Sequence, residues 1–149
     1  MKRILAIDPA TQLGWAYTDG KGKPKHGSES FHNSKFDGAG MRFLRFRKFL
    51  DGYEGKADLV VYEAVEAHSS TYAAHAYGGW LGVLQYFCEE HQIPYTGVGV
   101  GTIKKFWTGK GSAKKDAMIH EARVRGFNPQ DDNAADALAI LHYALEELV

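Results

Sequence analysis

Four acidic residues stand where a cluster of oxygen ligands needs them. Asp8 closes the apolar run Ile4-Leu5-Ala6-Ile7, and Glu63 closes a second run, Leu59-Val60-Val61-Tyr62. Asp132 and Asp136 lie together near the C-terminus, in Asp131-Asp132-Asn133-Ala134-Ala135-Asp136. A carboxylate at the end of a buried strand is costly unless something positive satisfies it. Two such strand ends and a helical acidic pair point to one centre for divalent metal, and so to phosphoryl-transfer chemistry. Mg²⁺ suits this set because it takes oxygen ligands, keeps several waters and needs few carboxylates, and Mn²⁺ is able to substitute. Four acids support two ions about 4 Å apart, one activating water and the other stabilising the leaving 3′ oxygen.

On a helix, Asp132 and Asp136 are separated by about 40° and share a face. Asn133 and Asp136, three residues apart, share one as well. Asp131 does not, and reads as a helix cap or a first-turn charge favoured by the helix dipole. Each acid also has a plainer reading. Asp-rich helix starts are common, Glu63 could reach solvent, and Asp8 could cap a turn with Pro9. Taken jointly, the two strand-end acids and the helical pair favour ligation. No serine or cysteine triad of comparable quality competes. His68 and His75, seven apart on one predicted helix, share a face, but no zinc-type spacing accompanies them.

The elements that must position these residues follow from hydrophobic periodicity. Arg3 to Asp8 reads as a buried strand, Leu13 to Asp19 as a second, and Lys25 to Phe31 as a third. The turn chemistry of Thr18 to Gly22 makes them an antiparallel meander. Gly40 to Tyr53 carries apolar residues at helical spacing, with Arg42, Arg45, Arg47 and Lys48 between them, which predicts an amphipathic helix with a basic outer face. Leu59 to Glu63 is a short strand, apolar throughout, as inside a sheet covered on both faces. A long helix from Thr71 to His91, a strand from Tyr95 to Val100 and helices over Ser112–Arg125 and Asp132–Leu148 complete the chain. The order predicts an α/β layer sandwich with a mixed sheet. Asp8 falls mid-sheet and Glu63 on the next-door parallel strand, with the Asp136 helix packed over both.

At 149 residues, 44% hydrophobic and 24% charged, the chain has the size and composition of one soluble domain spanning 1–149. Its 18 basic and 18 acidic residues cancel, so net charge does not point to a nucleic-acid partner. Distribution is more telling: Lys104, Lys105, Lys110, Lys114 and Lys115 are interleaved with Gly101, Gly109, Gly111 and Ser112. Glycines let backbone amides approach phosphate, and Ser112 could cap a helix whose N-terminus favours anions. Solvated surface lysines are the plainer explanation for any one of them. The single Cys88 excludes an internal disulfide and a cysteine-built zinc site. No membrane span or signal peptide is read from the sequence, so a cytoplasmic location is expected. In Tyr77-Gly78-Gly79-Trp80-Leu81-Gly82, helix glycines cost about 1 kcal/mol each relative to Ala, which close packing in the core or against a second subunit would offset.

Ile4-Leu5-Ala6-Ile7-Asp8-Pro9 with Gly14-Trp15-Ala16, then Val98 to Lys105 and Gly109 to Lys115, then Asn133 to Ile140, resemble the successive motifs of RuvC-type Holliday junction resolvases. The resemblance spans residues 3 to 145. It implies a ribonuclease-H-like fold with a mixed five-stranded sheet, a homodimer, and paired Mg²⁺-dependent nicks across a branched four-way DNA junction. It assigns Asp8, Glu63 and Asp136 as metal-binding acids and points most directly to Lys104 and Lys115 for DNA. The family's remaining ligand position falls on Asn133, and Asp132 stands ready to substitute from one residue earlier. Some members carry an aromatic wedge where this chain has Glu66; Tyr72 or Tyr77 are the candidates to stack in its place. The compact length and these variants resemble a phage member. The alternatives are a general ribonuclease-H-like nuclease acting on hybrids or flaps, and a DNA-binding module with a degraded site.

Overall fold

The computed structural model describes residues 2–149. Strands β1 (Ile4–Asp8), β2 (Gln12–Thr18) and β3 (Lys25–Ser30) form the expected meander, with β1 and β2 antiparallel and β2 and β3 antiparallel. Helix α1 (Met41–Asp51) leads to β4 (Leu59–Ala64), and α2 (Thr71–Glu90) to β5 (Tyr95–Gly99). Helices α3 (Val100–Thr108), α4 (Lys115–Val124) and α5 (Asp132–Tyr143) follow, the last ending in a π-helical turn over Ala144–Leu148. The sheet order is β3-β2-β1-β4-β5, with β1 parallel to β4 and β4 parallel to β5.

Alternation along the strands divides the interior into two layers. Leu5 and Ile7 of β1 and Val60 and Tyr62 of β4 pack with Phe46, Leu50, Trp80, Leu84 and Phe87 from α1 and α2. Ile4 and Ala6, with Leu59 and Val61, pack on the other face with Ile103, Trp107, Met118, Leu138 and Leu141 from α3, α4 and α5. Burying each large aliphatic side chain contributes about 1.5–3 kcal/mol. These two layers therefore hold the sheet rigid beneath the acids. By the same alternation Asp8 and Glu63 belong to the α5 face.

Several sequence expectations are corrected. The stretch after β5, where no helix is expected before Ser112, is helix α3, held by the buried pair Ile103 and Trp107 one turn apart. Ser112 does not cap a helix: α4 begins at Lys115 with Lys114 at the cap position and no side-chain capping bond. His68 lies before α2, its ring 5.0 Å from that of Tyr77, so it does not share a helix face with His75. One of the α2 glycines is explained within the chain, since a Cβ on Gly79 would meet the Phe43 ring at 2.4 Å. Gly78 and Gly82 face open space.

Candidate active site

Parallel pairing of β1 with β4 runs through Ile7 and Tyr62, so the two strand-end acids, Asp8 and Glu63, follow side by side at the next register position. Helix α5 crosses this end of the sheet. Asp131 caps it, its carboxylate accepting from the Ala134 amide at 2.9 Å and from the Ser28 hydroxyl at 2.8 Å. That fixes the first turn of α5 to β3 and leaves Asp132 and Asp136 free of capping duty. Below, the buried run Ala137 to Leu141 anchors the helix in the core.

The electrostatics are those of carboxylates forced together. Asp8 is buried, 8% exposed. Its pKa is raised well above the ordinary aspartate value by loss of solvent first, then by the charges of Glu63, Asp136 and Asp132. Asp136 is pushed up to about 7 by burial, then by Glu63 and Asp132. Asp8 and Asp136 are within hydrogen-bonding reach when one carries a proton. Otherwise the Asp136 Oδ1 is buried without a partner. Glu63 is raised by burial, and Lys104 opposes the shift. Lys104 also lowers Asp136, which makes it the basic residue that reaches the cluster from α3.

A divalent cation fits this donor set on chemical grounds: buried and half-buried carboxylates that repel one another, and an orphaned buried oxygen, are relieved by positive charge. As the side chains stand, no three His, Cys, Asp or Glu among the described residues are arranged to hold an ion. Asp132 takes part in the mutual repulsion and also lies 3.9 Å from the Lys115 ammonium. Asn133 is half-buried, and its carbonyl packs against Gly14.

The lysines divide. Lys104, Lys114 and Lys115 line one open cavity of about 570 Å³ together with Ser112. Lys105 and Lys110 are exposed and do not line it. The basic face expected on α1 is largely cancelled: Arg45 pairs with Asp37 at 2.9 Å, and Arg47 pairs with Asp51 and Glu90. Of the two stacking candidates, Tyr77 is bound into the fold, donating to the Glu63 carbonyl at 2.8 Å and accepting from the Val65 amide. Tyr72 is 70% exposed at the start of α2. Sequence reasoning missed Gly14 as the seat of α5, although a glycine inside a strand is a known sign of close backbone approach. No helix among the described residues is long and apolar enough to cross a membrane.

No family model matches the sequence, and no curated protein matches it. Solved structures do. The structure of Thermus thermophilus RuvC superposes with a TM-score of 0.75 at 25% identity, over 97% of this chain and 96% of that one. T. thermophilus RuvC in complex with a Holliday junction substrate gives a TM-score of 0.78 at 25% identity, over 94% of this chain and 90% of that one. The yeast mitochondrial Holliday junction resolvase Ydc2, at 12% identity and a TM-score of 0.63 over 93% of this chain and 75% of that one, shares the fold. The mixed five-stranded sheet with its flanking helices is thus the ribonuclease-H-like fold that the sequence motifs imply, and the chain is similar in structure to RuvC over nearly its whole length.

Proposed function

We propose that this chain is a metal-dependent endonuclease that resolves four-way or branched DNA junctions by paired nicks. The observation that carries the reading is the carboxylate cluster of buried Asp8 with half-buried Glu63 and Asp136, whose mutual repulsion calls for cations, on a RuvC-like fold. Asp8, Glu63 and Asp136 hold Mg²⁺, with Mn²⁺ able to replace it, and Asp132 rather than Asn133 supplies the fourth carboxylate because its charge already reaches Asp8 and Asp136. When bound, a pair of such ions supplies Lewis-acid chemistry for water attack on a phosphodiester.

The chain's own residues set the stage for that step. The strands fix the backbone of Asp8 and Glu63 side by side, and α5 brings Asp136 over them, so side-chain rotation on a fixed scaffold would complete the ligand set. Lys104 offsets part of the negative charge and lines the cavity that would receive the phosphate backbone. Lys114 and Lys115 extend that positive surface along one cavity wall, where they position DNA without reading its sequence. Tyr72 is the residue available to stack on an unpaired base at the junction core.

A homodimer follows from the substrate's near two-fold symmetry, since two identical sites reach symmetric phosphates. The outer face of α1 and the C-terminal half of α2 supports this: Leu44 and Tyr86 are 49% and 67% exposed, and Gly82 beside them opens a shallow apolar cavity. The test is to offer labelled four-way junction, linear duplex and RNA–DNA hybrid to the protein with Mg²⁺ or with chelator. Symmetric nicks in the junction alone, only with metal, are expected. Equal cutting of hybrid indicates the general nuclease, and binding without cutting indicates a DNA-binding module.

A further inference from the structure

Arg42 differs from the other arginines tied into the fold. Arg3, Arg45, Arg47 and Arg125 each pair with a carboxylate. Arg42 enters no ion pair among the described residues, and its Nε is buried without a hydrogen-bond partner. Its guanidinium carbon sits 5.5 Å from the centre of the Trp80 ring and 6.0 Å from that of Phe43, so two aromatic faces hold it in place. It lines an open cavity of about 450 Å³ whose other polar walls are His32, Asn33 and His75, with Tyr72 at its edge. No acidic side chain lines that cavity. Asn33 donates to the Ala39 carbonyl, and its own Oδ1 is also unpartnered. A water could satisfy either orphaned atom; an anion would accept from the Arg42 Nε–H and neutralise the guanidinium, leaving the Asn33 Oδ1, an acceptor, to a water.

The cavity continues toward the chain segments that follow Asp8 and Glu63. A second, mostly apolar cavity of about 280 Å³ shares Tyr72 and Ala76 with it and runs to Pro9, Thr11 and Val65, the residues just beyond Asp8 and Glu63. This groove lies on the α1–α2 side of the sheet, whereas Lys104, Lys114 and Lys115 belong to α3 and α4 on the other. We propose that the Arg42 cavity is a phosphate-binding site that grips the backbone of a DNA strand passing over Tyr72, opposite the lysine surface. The inference rests on the DNA-cleaving role proposed above and adds a contact on the far side of the sheet. Arg42 there makes a forked, charge-assisted contact that a lysine would reproduce only in charge.

Two measurements test it on the full chain. Inorganic phosphate is titrated into wild-type protein while the Arg42 side-chain Nε–H signal is followed by NMR. A saturable shift of that signal, absent from the Arg47 signal, is expected. In parallel, anisotropy with labelled four-way junction in Ca²⁺ compares wild type, Arg42→Gln and Arg42→Lys across a salt series. Arg42→Gln should weaken binding roughly tenfold and lower the log–log salt slope by about one unit, with Arg42→Lys restoring the slope but only part of the affinity. An unshifted Arg42 signal overturns the site, whether or not Arg42→Gln folds. A shift with phosphate but unchanged junction affinity and slope overturns its DNA role. Asp8→Asn separates the two readings: it should abolish cutting and leave the Arg42 titration untouched.

Discussion

A Cβ added to Gly14 would lie 1.9 Å from the carbonyl oxygen of Asn133, so the first turn of α5 rests directly on the backbone of β2. Gly14 is also the cross-strand partner of Asp8. The distance between Asp8 on β1 and the acids of α5 is therefore set by the absence of one side chain. Because the obstacle is backbone, a methyl group here must lift the helix rather than rotate a neighbour aside.

Gly14→Ala should accordingly cost about 1–3 kcal/mol of stability, as overpacking does, and lower the single-turnover cleavage rate by roughly 10²-fold, the scale of an ångström of misplacement. Junction affinity should change little, since the lysines are on other elements. Thermal melts, single-turnover kinetics and anisotropy on one preparation check all three. Loss of affinity in proportion to rate would mean general damage instead.

Neutralising one acid should relieve the repulsion that burial imposes. Asp8→Asn and Glu63→Gln are expected to abolish cleavage, keep junction binding, and melt above wild type in metal-free buffer. Either variant cutting at the wild-type rate removes that residue from the site. Comparing Asp132→Ala with Asn133→Ala in the same assay assigns the fourth position, the larger loss of Mg²⁺-dependent rate marking the ligand.

Metal-free stability should depend on pH in a definite direction. Asp8, Glu63 and Asp136 all have folded pKa values raised above their ordinary ones, Asp136 to about 7. The folded chain then binds more protons than the unfolded chain between about pH 4 and pH 7. The stability linked to those protons is complete below that window and is lost as pH rises through it. Melting temperatures from pH 4 to 8 in chelator should fall across the window, less so in Asp136→Asn. Saturating Mg²⁺ should flatten the curve, and a rise with pH would contradict the cluster.

Lys104 and Lys115 should separate by pH as well as by salt. Each substitution by Ala is expected to lower the salt slope of junction binding by about one unit. Only Lys104 reaches Glu63 and Asp136, holding both pKa values down. Lys104→Ala should therefore move the acidic limb of the cleavage rate to higher pH, while Lys115→Ala leaves the limb in place.

Asp8, Glu63 and the meander were legible because apolar runs that stop at an acid announce strand ends, and tight turns announce antiparallel pairing. The capping role of Asp131 was legible from its position outside the Asp132–Asp136 face. Helix α3 was not, since Gly99 and Gly101 stand at its start and its periodic signal, Val100 with Ile103, Phe106 and Trp107, fills only nine residues. Nor was the fate of the α1 arginines: Arg47 meets Glu90 across forty-three residues, and no local pattern encodes that pairing. The exposed glycines of α2 and the unpaired Arg42 likewise emerge only once α1 and α2 are packed together.

Paired incision is the most direct test of the account. A supercoiled plasmid that extrudes a cruciform is incubated with excess protein and Mg²⁺ under single-turnover conditions, and nicked and linear forms are followed in time. Two identical sites on one symmetric junction predict linear product within a single binding event, with nicked circles transient, and a dimer by sedimentation at the same concentration. Nicked circles that accumulate and persist, from a protein that sediments as a monomer and cuts RNA–DNA hybrids as fast as junctions, would contradict it.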